Sequence, residues 1–381
     1  MVVVATWDVA VVGGGPGGLA AGLAAAAGGA RTIVLERAEH PRYKTCGGGL
    51  LGTSLAFSES RIKVPARDSI TAVTFTDRGE HAFTRRSGQP PVLTMVRRDE
   101  FDLAWYDAAV AAGAEVRQNA QVRAVDQDED VATVTLADGS ALTARTVIGA
   151  DGSAGISSRY VGVAFEQQDL GLEVELAATG ADRAAYRGRV LLDWGAVPGS
   201  YGWVFPKDDE LTVGVIMQKG RGAETKEYLA TFLKQLGLDD RPVLRDSGHL
   251  TRCRTPSAPL RKGRVLVVGD AAGLLEPWTR EGISYALRSG TRAGEVAALA
   301  GTVDGLTAYE KWVNDELAPE MAAGRRLLGG FIRHRRVMHA AMATPLGWRA
   351  FQAFCRGELS MPSVLRRPGV RAAVRVFGGR G

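Results

Sequence analysis

Residues 7–37 read WDVAVVGGGPGGLAAGLAAAAGGARTIVLER. An apolar run from Asp8 to Val12 stops at a cluster of glycines. An Ala/Leu run follows from about Pro16 to Ala27, Gly28 and Gly29 end it, and a second apolar run covers Thr32 to Leu35. That order predicts strand, tight turn, helix and buried strand, which is one βαβ unit. Gly13-x-Gly15-x-x-Gly18 falls where the first strand passes into the helix. Gly13 permits the tight turn, Gly15 lets a pyrophosphate approach the main chain, and Gly18 lets helix and strand pack closely. The start of the helix offers phosphates its free N–H groups and partial positive charge. Glu36 lies 18 residues after Gly18, at the end of the second strand, where a carboxylate can accept hydrogen bonds from a ribose; Arg37 beside it is taken as a further contact. The alternative is a chance glycine turn, and the strand before and helix after it favour a dinucleotide site.

Two further glycine clusters say which dinucleotide. PRYKTCGGGL, 41–50, sets one cysteine against three glycines. A backbone without side chains there predicts that something flat or bulky comes close to it. VLVVGDAAGLLEPWTREGISYAL, 265–287, repeats the strand, turn and helix logic far along the chain. A nicotinamide site has no need of that distant element. A flavin is longer, with a ribityl chain and a three-ring head to anchor. Gly269-Asp270 is read as the end of a strand, with Asp270 accepting from a ribityl hydroxyl. Gly282 and Ile283 are read as a helix start whose N–H groups stabilise negative charge on a reduced ring. FAD is therefore the expected cofactor.

Between these clusters the chain alternates in character. Segments such as ITAVTFTD and EHAFTR within 62–95, and LEVELAAT, RVLLDW, YGWVFP and LTVGVIM within 160–218, have the period of strands. DEFDLAWYDAAVAAG is an amphipathic helix, and the strand ending in GAD enters a turn at Asp151. From Leu306 onward the pattern is helical. The expected domains are a discontinuous cofactor domain over 1–60, 96–158 and 255–300, a β-sheet substrate domain over 61–95 and 159–254, and a basic helical region over 301–381. In YGWVFP, Tyr201, Trp203 and Phe205 share one face of a strand. They form either half of a sandwich core or, beside a flavin, an apolar wall for substrate.

Composition bounds the partners. The chain has 381 residues, 45% hydrophobic and 23% charged, as globular proteins do. Its three cysteines, Cys46, Cys253 and Cys355, are widely spaced, which fits neither a disulfide framework nor a zinc site and suits a reducing cytoplasm. No metal is expected. The first residues lack the positive region of a signal peptide, and no run is long enough for a transmembrane helix. From Met321 onward there are twelve Arg, no Lys and one acid, a net of +11 against +5 for the whole chain, so the rest carries −6. Arg pairs at 325–326 and 366–367 and RHRR at 333–336 are interleaved with Leu327, Leu328, Phe331, Trp348, Phe351 and Phe354. Two readings follow: a peripheral surface for anionic lipid headgroups, or a packed helical cap with a solvated Arg face. No nucleic-acid motif accompanies the charge.

GGGPGG, KTCGGGL, MVRRDEFD, GAD, YGWVFP and GDAAGLLEPWTREGI occur in an order that resembles the geranylgeranyl reductases. These belong to the flavoproteins folded like para-hydroxybenzoate hydroxylase. The resemblance spans roughly Asp8 to Ala300, and CGGGL and YGWVFP are its more specific part. It implies an α/β fold: a Rossmann-type, glutathione reductase-like FAD domain with an inserted antiparallel sheet and a helical C-terminal tail. It implies FAD contacts at Gly17, Glu36, Cys46, Gly47, Gly49, Arg98, Val122, Asp270, Gly282 and Ile283. Arg98 would act as a donor, or be a surface arginine ahead of a helix; Val122 would offer main-chain contacts only. The chain departs from the family at Arg280, where glycine is usual before EGI.

The activity implied is reduction of carbon–carbon double bonds in a polyprenyl chain, with the flavin as hydride source. Cys46 is the candidate proton donor, a shaper of the pocket, or a spectator thiol. Electrons are expected from docked NADPH or from a reduced protein such as ferredoxin. A prenylated substrate adds weight to a cytoplasmic protein peripheral at the membrane. Two alternatives stay open: a flavin monooxygenase or halogenase on the same scaffold, and a non-catalytic membrane-bound flavoprotein.

Overall fold

The computed structural model describes residues 6–88, 90–360, 362 and 363. The βαβ unit forms as read: strand Trp7–Val12, helix Pro16–Ala27 and strand Thr32–Leu35. It seeds a sheet in the order Arg261–Lys262, Val265–Val267, Ala141–Gly149, Trp7–Val12, Thr32–Leu35, Glu115–Arg117. The last five strands run parallel. Parallel strands are covered on both faces, which is why Thr32–Leu35 and Val265–Val267 are buried at every position. A hairpin of Val122–Gln127 and Ala132–Leu136 extends antiparallel from Ala141–Gly149.

Helix Ile283–Leu299 packs against Pro16–Ala27 at backbone distance. A Cβ on Gly290 would stand 2.0 Å from the Gly17 carbonyl oxygen, and one on Gly294 would stand 2.2 Å from that of Ala21. The Gly- and Ala-rich composition of both helices is what allows that approach. It joins the first βαβ unit to the late helix Ile283–Leu299 in one packed body.

The second sheet has seven strands, in the order Val243–Arg254, Phe165–Ala177, Glu210–Gln218, Tyr201–Lys207, Arg189–Trp194, Ala72–Asp77, Glu80–Arg86. It is antiparallel except where Arg189–Trp194 runs parallel to Ala72–Asp77. That junction joins strands from the two separate insertions, and no hairpin dictates its direction. A small third sheet pairs Leu93–Val96 with Gly49–Leu50 and Ala66–Ile70.

The C-terminal part is helical, with Ala318–Ala343 interrupted at His334 (φ −129°, ψ 38°) and followed by Pro345–Cys355. It packs on the second sheet. Phe331, Met342, Trp348 and Cys355 share a core with Phe75, Val190 and Trp194. The Trp194 indole N–H donates to His339 Nδ1 at 3.0 Å, and that of Trp348 donates to the Arg86 carbonyl at 3.0 Å. Phe331, Trp348, Phe351 and Phe354, read above among candidates for a lipid surface, therefore pack inward. The apolar residues left exposed here are Ile332, Val337 and Leu346. The 366–367 arginine pair lies outside the described residues. Among the described residues, no helix is long and apolar enough to cross a membrane.

Candidate cofactor and active site

At one end of the site the main chain is folded by its glycines. Gly13 has φ +107°, a left-handed conformation, and a Cβ there would lie 2.4 Å from the Ala150 carbonyl oxygen. A Cβ on Gly18 would lie 1.9 Å from the Gly13 oxygen. At Gly15 an added Cβ meets nothing nearer than Arg42 Nη2 at 3.6 Å, so the backbone lies open at the helix start. Gly15 also supplies no side chain to cap that helix. Glu36 is buried at the turn, its Oε2 accepting from the Gly14 N–H at 2.7 Å and its Oε1 from the Ala38 N–H at 3.0 Å. Arg37 is exposed in the loop beyond it.

Asp151 closes the neighbouring turn. Its Oδ2 accepts from the N–H groups of Ile156 and Ser157 at 2.7 and 3.0 Å, and burial pushes the carboxyl up against those bonds. Asp151 Oδ1 and His40 Nδ1 are buried and, among the described residues, have no partner. An open backbone at an uncapped helix start fits a phosphate-bearing dinucleotide. Val122 is half-buried at the start of the hairpin strand Val122–Gln127.

The other end centres on the Cys46 loop. Cys46 is half-buried, and its N–H donates to Glu173 Oε1 at 2.7 Å. Lys207 Nζ reaches the Cys46 carbonyl at 3.5 Å. Glu173 and Lys207 are each 2% exposed and come from two strands that flank Glu210–Gln218. Burial pushes the Glu173 carboxyl up, and the Lys207 ammonium opposes it. Tyr43 joins from the loop itself, its hydroxyl 2.7 Å from Ser247 Oγ.

The glycine run has a cause inside the protein as well as any ligand. A Cβ on Gly47 would lie 2.8 Å from the Phe205 ring and 3.3 Å from Trp203 Nε1. Gly48 has φ +74° and packs on the Val96 carbonyl, while a Cβ on Gly49 would make only ordinary contacts. Tyr201, Trp203 and Phe205 do share a face, with successive ring centroids 5.8 and 6.3 Å apart. Gly214 opposite Trp203 makes room for the indole, since a Cβ there would stand 2.2 Å from it. The Tyr201 hydroxyl donates to the Thr279 carbonyl at 2.6 Å, tying the wall to the distant 276–281 turn.

Arg98 starts its helix and pairs through both Nε and Nη2 with the fully buried Asp102, at 2.9 and 3.0 Å. Its guanidinium also faces the Cys46 side chain. Asp270 Oδ2 lies 3.3 Å from His249 Nε2, and His249 Nδ1 lies 2.9 Å from Lys44 Nζ. The strand before Asp270 stops at Val267, and 269–272 is a 3-10 turn with Gly269 at φ +51°. Gly282 then precedes the helix that starts at Ile283 and offers no side chain to cap it. Arg280 adopts φ +58°, a conformation suited to glycine, and holds it by pairing with Asp169 at 3.1 Å and donating to the Trp278 and Gly199 carbonyls.

The structure thus brings Cys46, Arg98, Asp270 and the aromatic wall around one centre, and gathers Gly13, Gly15, Gly18 and Glu36 at the first strand-to-helix turn. Sequence reasoning passed over Glu173, Lys207, His249, Lys44 and Asp102. Their one visible signal was charge inside apolar runs, as in GLEVELAA and YGWVFPK, since a charged residue is almost never fully buried unless paired.

Residues 6–302 match the model of a family described as FAD binding domain. Digeranylgeranylglycerophospholipid reductase 2 of Methanosphaera stadtmanae is 31% identical over 315 residues, covering 77% of this chain and 78% of that protein. The fold is similar to that of a geranylgeranyl bacteriochlorophyll reductase-like protein from Thermoplasma acidophilum, with TM-score 0.80, 21% identity and coverage of 98% and 99% of the two chains. A flavin-dependent brominase shares the fold as well, with TM-score 0.75, 19% identity and coverage of 97% and 99%.

Proposed function

The chain belongs to the FAD binding domain family and is an FAD-dependent oxidoreductase related to the geranylgeranyl reductases, and on that premise we propose that it reduces carbon–carbon double bonds in a polyprenyl chain. The observation that carries this reading is the seating of the Cys46 loop on the aromatic strand. Gly47 packs against Phe205 and Trp203, and buried Glu173 and Lys207 hold the Cys46 main chain from either side, Glu173 at its N–H and Lys207 at its carbonyl. An apolar wall is thereby fixed beside a thiol, which suits a long hydrocarbon substrate held still next to a redox centre.

FAD, when bound, supplies the hydride. The chain's own residues do the rest. The Gly15 backbone and the helix start hold the pyrophosphate, and Glu36 accepts from the ribose, with Arg37, Gly17, the Val122 main chain and the Asp151 turn around it. Asp270 takes the ribityl chain, with its carboxylate oriented by His249. The N–H groups at Gly282 and Ile283, at the uncapped start of that helix, would stabilise negative charge on the bound flavin. Arg98, held by Asp102, sets the polarity around Cys46. The wall of Tyr201, Trp203 and Phe205 excludes water from the alkene. Cys46 either gives the alkene its proton or shapes the space where the proton arrives.

The electron donor on this reading is NADPH or a reduced ferredoxin-like protein. The substrate side faces a membrane through exposed Arg326, Arg336 and Arg349 together with Ile332, Val337 and Leu346. Flotation with vesicles containing anionic phospholipid checks that surface, and absence of binding removes it from the proposal. The reaction is tested anaerobically. The bound flavin is reduced with dithionite, and prenylated glycerolipids, quinones and diphosphates are added one by one. Reoxidation of the flavin by one of them, with saturated bonds in the product, is the expected outcome. Silence from every prenyl compound, with turnover of a small aromatic in the presence of oxygen, assigns the chain to monooxygenase or halogenase chemistry instead.

A further inference from the structure

The 276–281 turn borders a cavity of about 310 Å³ that none of the roles above uses. Glu276, Glu281, Glu320 and Arg288 all line it. Arg288 pairs with Glu320 at 3.0 Å, so the one cation is already committed to one of the three acids. Glu276 is 5% exposed. Its Oε2 accepts from the N–H of Trp278 and the hydroxyl of Thr279 at 3.0 and 2.7 Å. Its Oε1 is buried against Gly324 and has no partner among the described residues. A buried oxygen without a donor is costly as an anion, and a proton on it removes much of that cost. Glu281 sits one residue before Gly282, and its Oε1 accepts from the Ser284 N–H at 2.7 Å in the first turn of the following helix. A carboxyl therefore stands at the helix start assigned above to the charged edge of the ring.

We propose that Glu281, backed by Glu276, is a proton-linked acid of the flavin site: it binds a proton when negative charge arrives at the start of helix Ile283–Leu299 and releases it when that charge leaves. The inference rests on the FAD reading of the site. The balance is simple. Saturating one double bond takes two electrons and two protons. A reduced nicotinamide delivers both electrons and one proton together as hydride; a reduced iron–sulfur protein delivers electrons singly, in two encounters, and that proton then comes from solvent. On either route the hydride leaves for one alkene carbon and the second proton reaches the other carbon at the Cys46 side. The Glu281 proton is additional to these two: it is taken from solvent as negative charge builds at the helix start and returns to solvent when that charge leaves.

The surroundings poise the group for this. Burial pushes Glu281 up to about 7, Glu276 and Glu320 add to the rise, and the Ser284 N–H and Arg288 oppose it. Glu276 faces it from its own turn, Arg288 and Tyr285 from the helix that follows, and Glu320 from helix Ala318–Ala343. Among the described residues, the cavity lining from the other segments, Leu51, Thr53, Phe354, Gly357, Leu359 and Ser360, is uncharged; Arg356 and Glu358 of the same segment do not line it. A new negative charge at the same helix end then tips the equilibrium toward the protonated form.

The test uses no prenyl substrate, so its failure is distinct from failure of the reductase reading. Infrared titration of the cofactor-free protein is expected to show a protonated carboxyl band that fades around neutral pH and is missing in Glu281→Gln. In Glu320→Gln, Arg288 loses its partner and the same band should fade at lower pH, with Glu281 itself untouched. In FAD-loaded protein, the midpoint potential of wild type should fall more steeply with pH than that of Glu281→Gln above about pH 7, where the carboxyl is ionised before reduction, by up to one extra proton per two electrons. Identical bands in wild type and Glu281→Gln, an unmoved midpoint in Glu320→Gln, or equal slopes would each overturn the proposal. Should Glu281→Gln not fold, the Glu320→Gln shift alone decides.

Discussion

At the first strand-to-helix turn, four glycines at 13, 15, 17 and 18 and one acid at 36 come together within 24 residues of chain. At the ring end, the Cys46 loop is held by Glu173, Phe205 and Lys207, which lie more than a hundred residues away in sequence. The first region is shaped by what the backbone can do: a left-handed Gly13, a packing so close that a Cβ on Gly18 would stand 1.9 Å from the Gly13 oxygen, a helix start left open. The second is shaped by what side chains from another sheet demand of the backbone. The contrast teaches that the same residue type has two meanings here. Gly13 is bare because the main chain turns, and Gly47 is bare because an aromatic ring needs the space.

The largest expected effect breaks the local region. Gly13→Ala puts a methyl group on a left-handed residue and within 2.4 Å of a backbone oxygen that cannot swing away. Strain and clash together are expected to cost about 4 kcal/mol or more. The variant should be colourless after purification and should melt well below wild type. A yellow Gly13→Ala protein with unchanged melting would mean that the turn is not built as described.

Next comes the long-range region. Lys207→Met keeps most of the side chain and removes its charge, leaving the Cys46 carbonyl without that donor and buried Glu173 without the cation that opposes its rise. Leaving one buried charge uncompensated costs up to about 3–5 kcal/mol when it stays ionised. Glu173 is already pushed toward its neutral form by burial, and loss of Lys207 moves it further that way. The loss should therefore be larger at high pH than at low pH, because a protonated Glu173 no longer needs a cation. Chemical denaturation at two pH values reads this directly. A loss independent of pH would show that the pair is not what holds the loop.

How much of this was legible beforehand follows from the same contrast. The βαβ unit, the nucleotide turn and the aromatic face of Tyr201, Trp203 and Phe205 could be read because each is periodic or local. Arg98 was legible as a site residue, but its bond to Asp102 one helical turn on was passed over, although the spacing Arg-x-x-x-Asp is visible in the sequence. Glu173, Lys207 and the contacts of Asp270 with His249 and Lys44 were hidden because their partners come from segments far apart in the chain, which no local pattern encodes. The inward packing of Phe331 and Trp348 was hidden for a related reason. An aromatic between arginines looks the same whether the sheet it covers or a membrane lies beyond it. Only Trp194 and Arg86, from the inserted strands, tell the two apart.

The smallest expected effect is the one that tests the contrast itself. Gly47→Ala adds one methyl group, and its neighbours are the Phe205 ring at 2.8 Å and Trp203 Nε1 at 3.3 Å. Overpacking of this kind costs about 1–3 kcal/mol. If the ring is the reason for the glycine, Phe205→Leu should return most of that loss when combined with Gly47→Ala, although Phe205→Leu alone is destabilising. The two changes would then be coupled, as residues in contact are. If the reason is a flavin pressed on the same main chain, the double variant should regain its melting temperature in the cofactor-free protein and still bind FAD weakly. Measuring stability without cofactor and affinity with it separates the two causes. A double variant no better than the sum of its parts in either measurement would mean that Gly47 is bare for neither reason, and the loop would lose its place beside the wall.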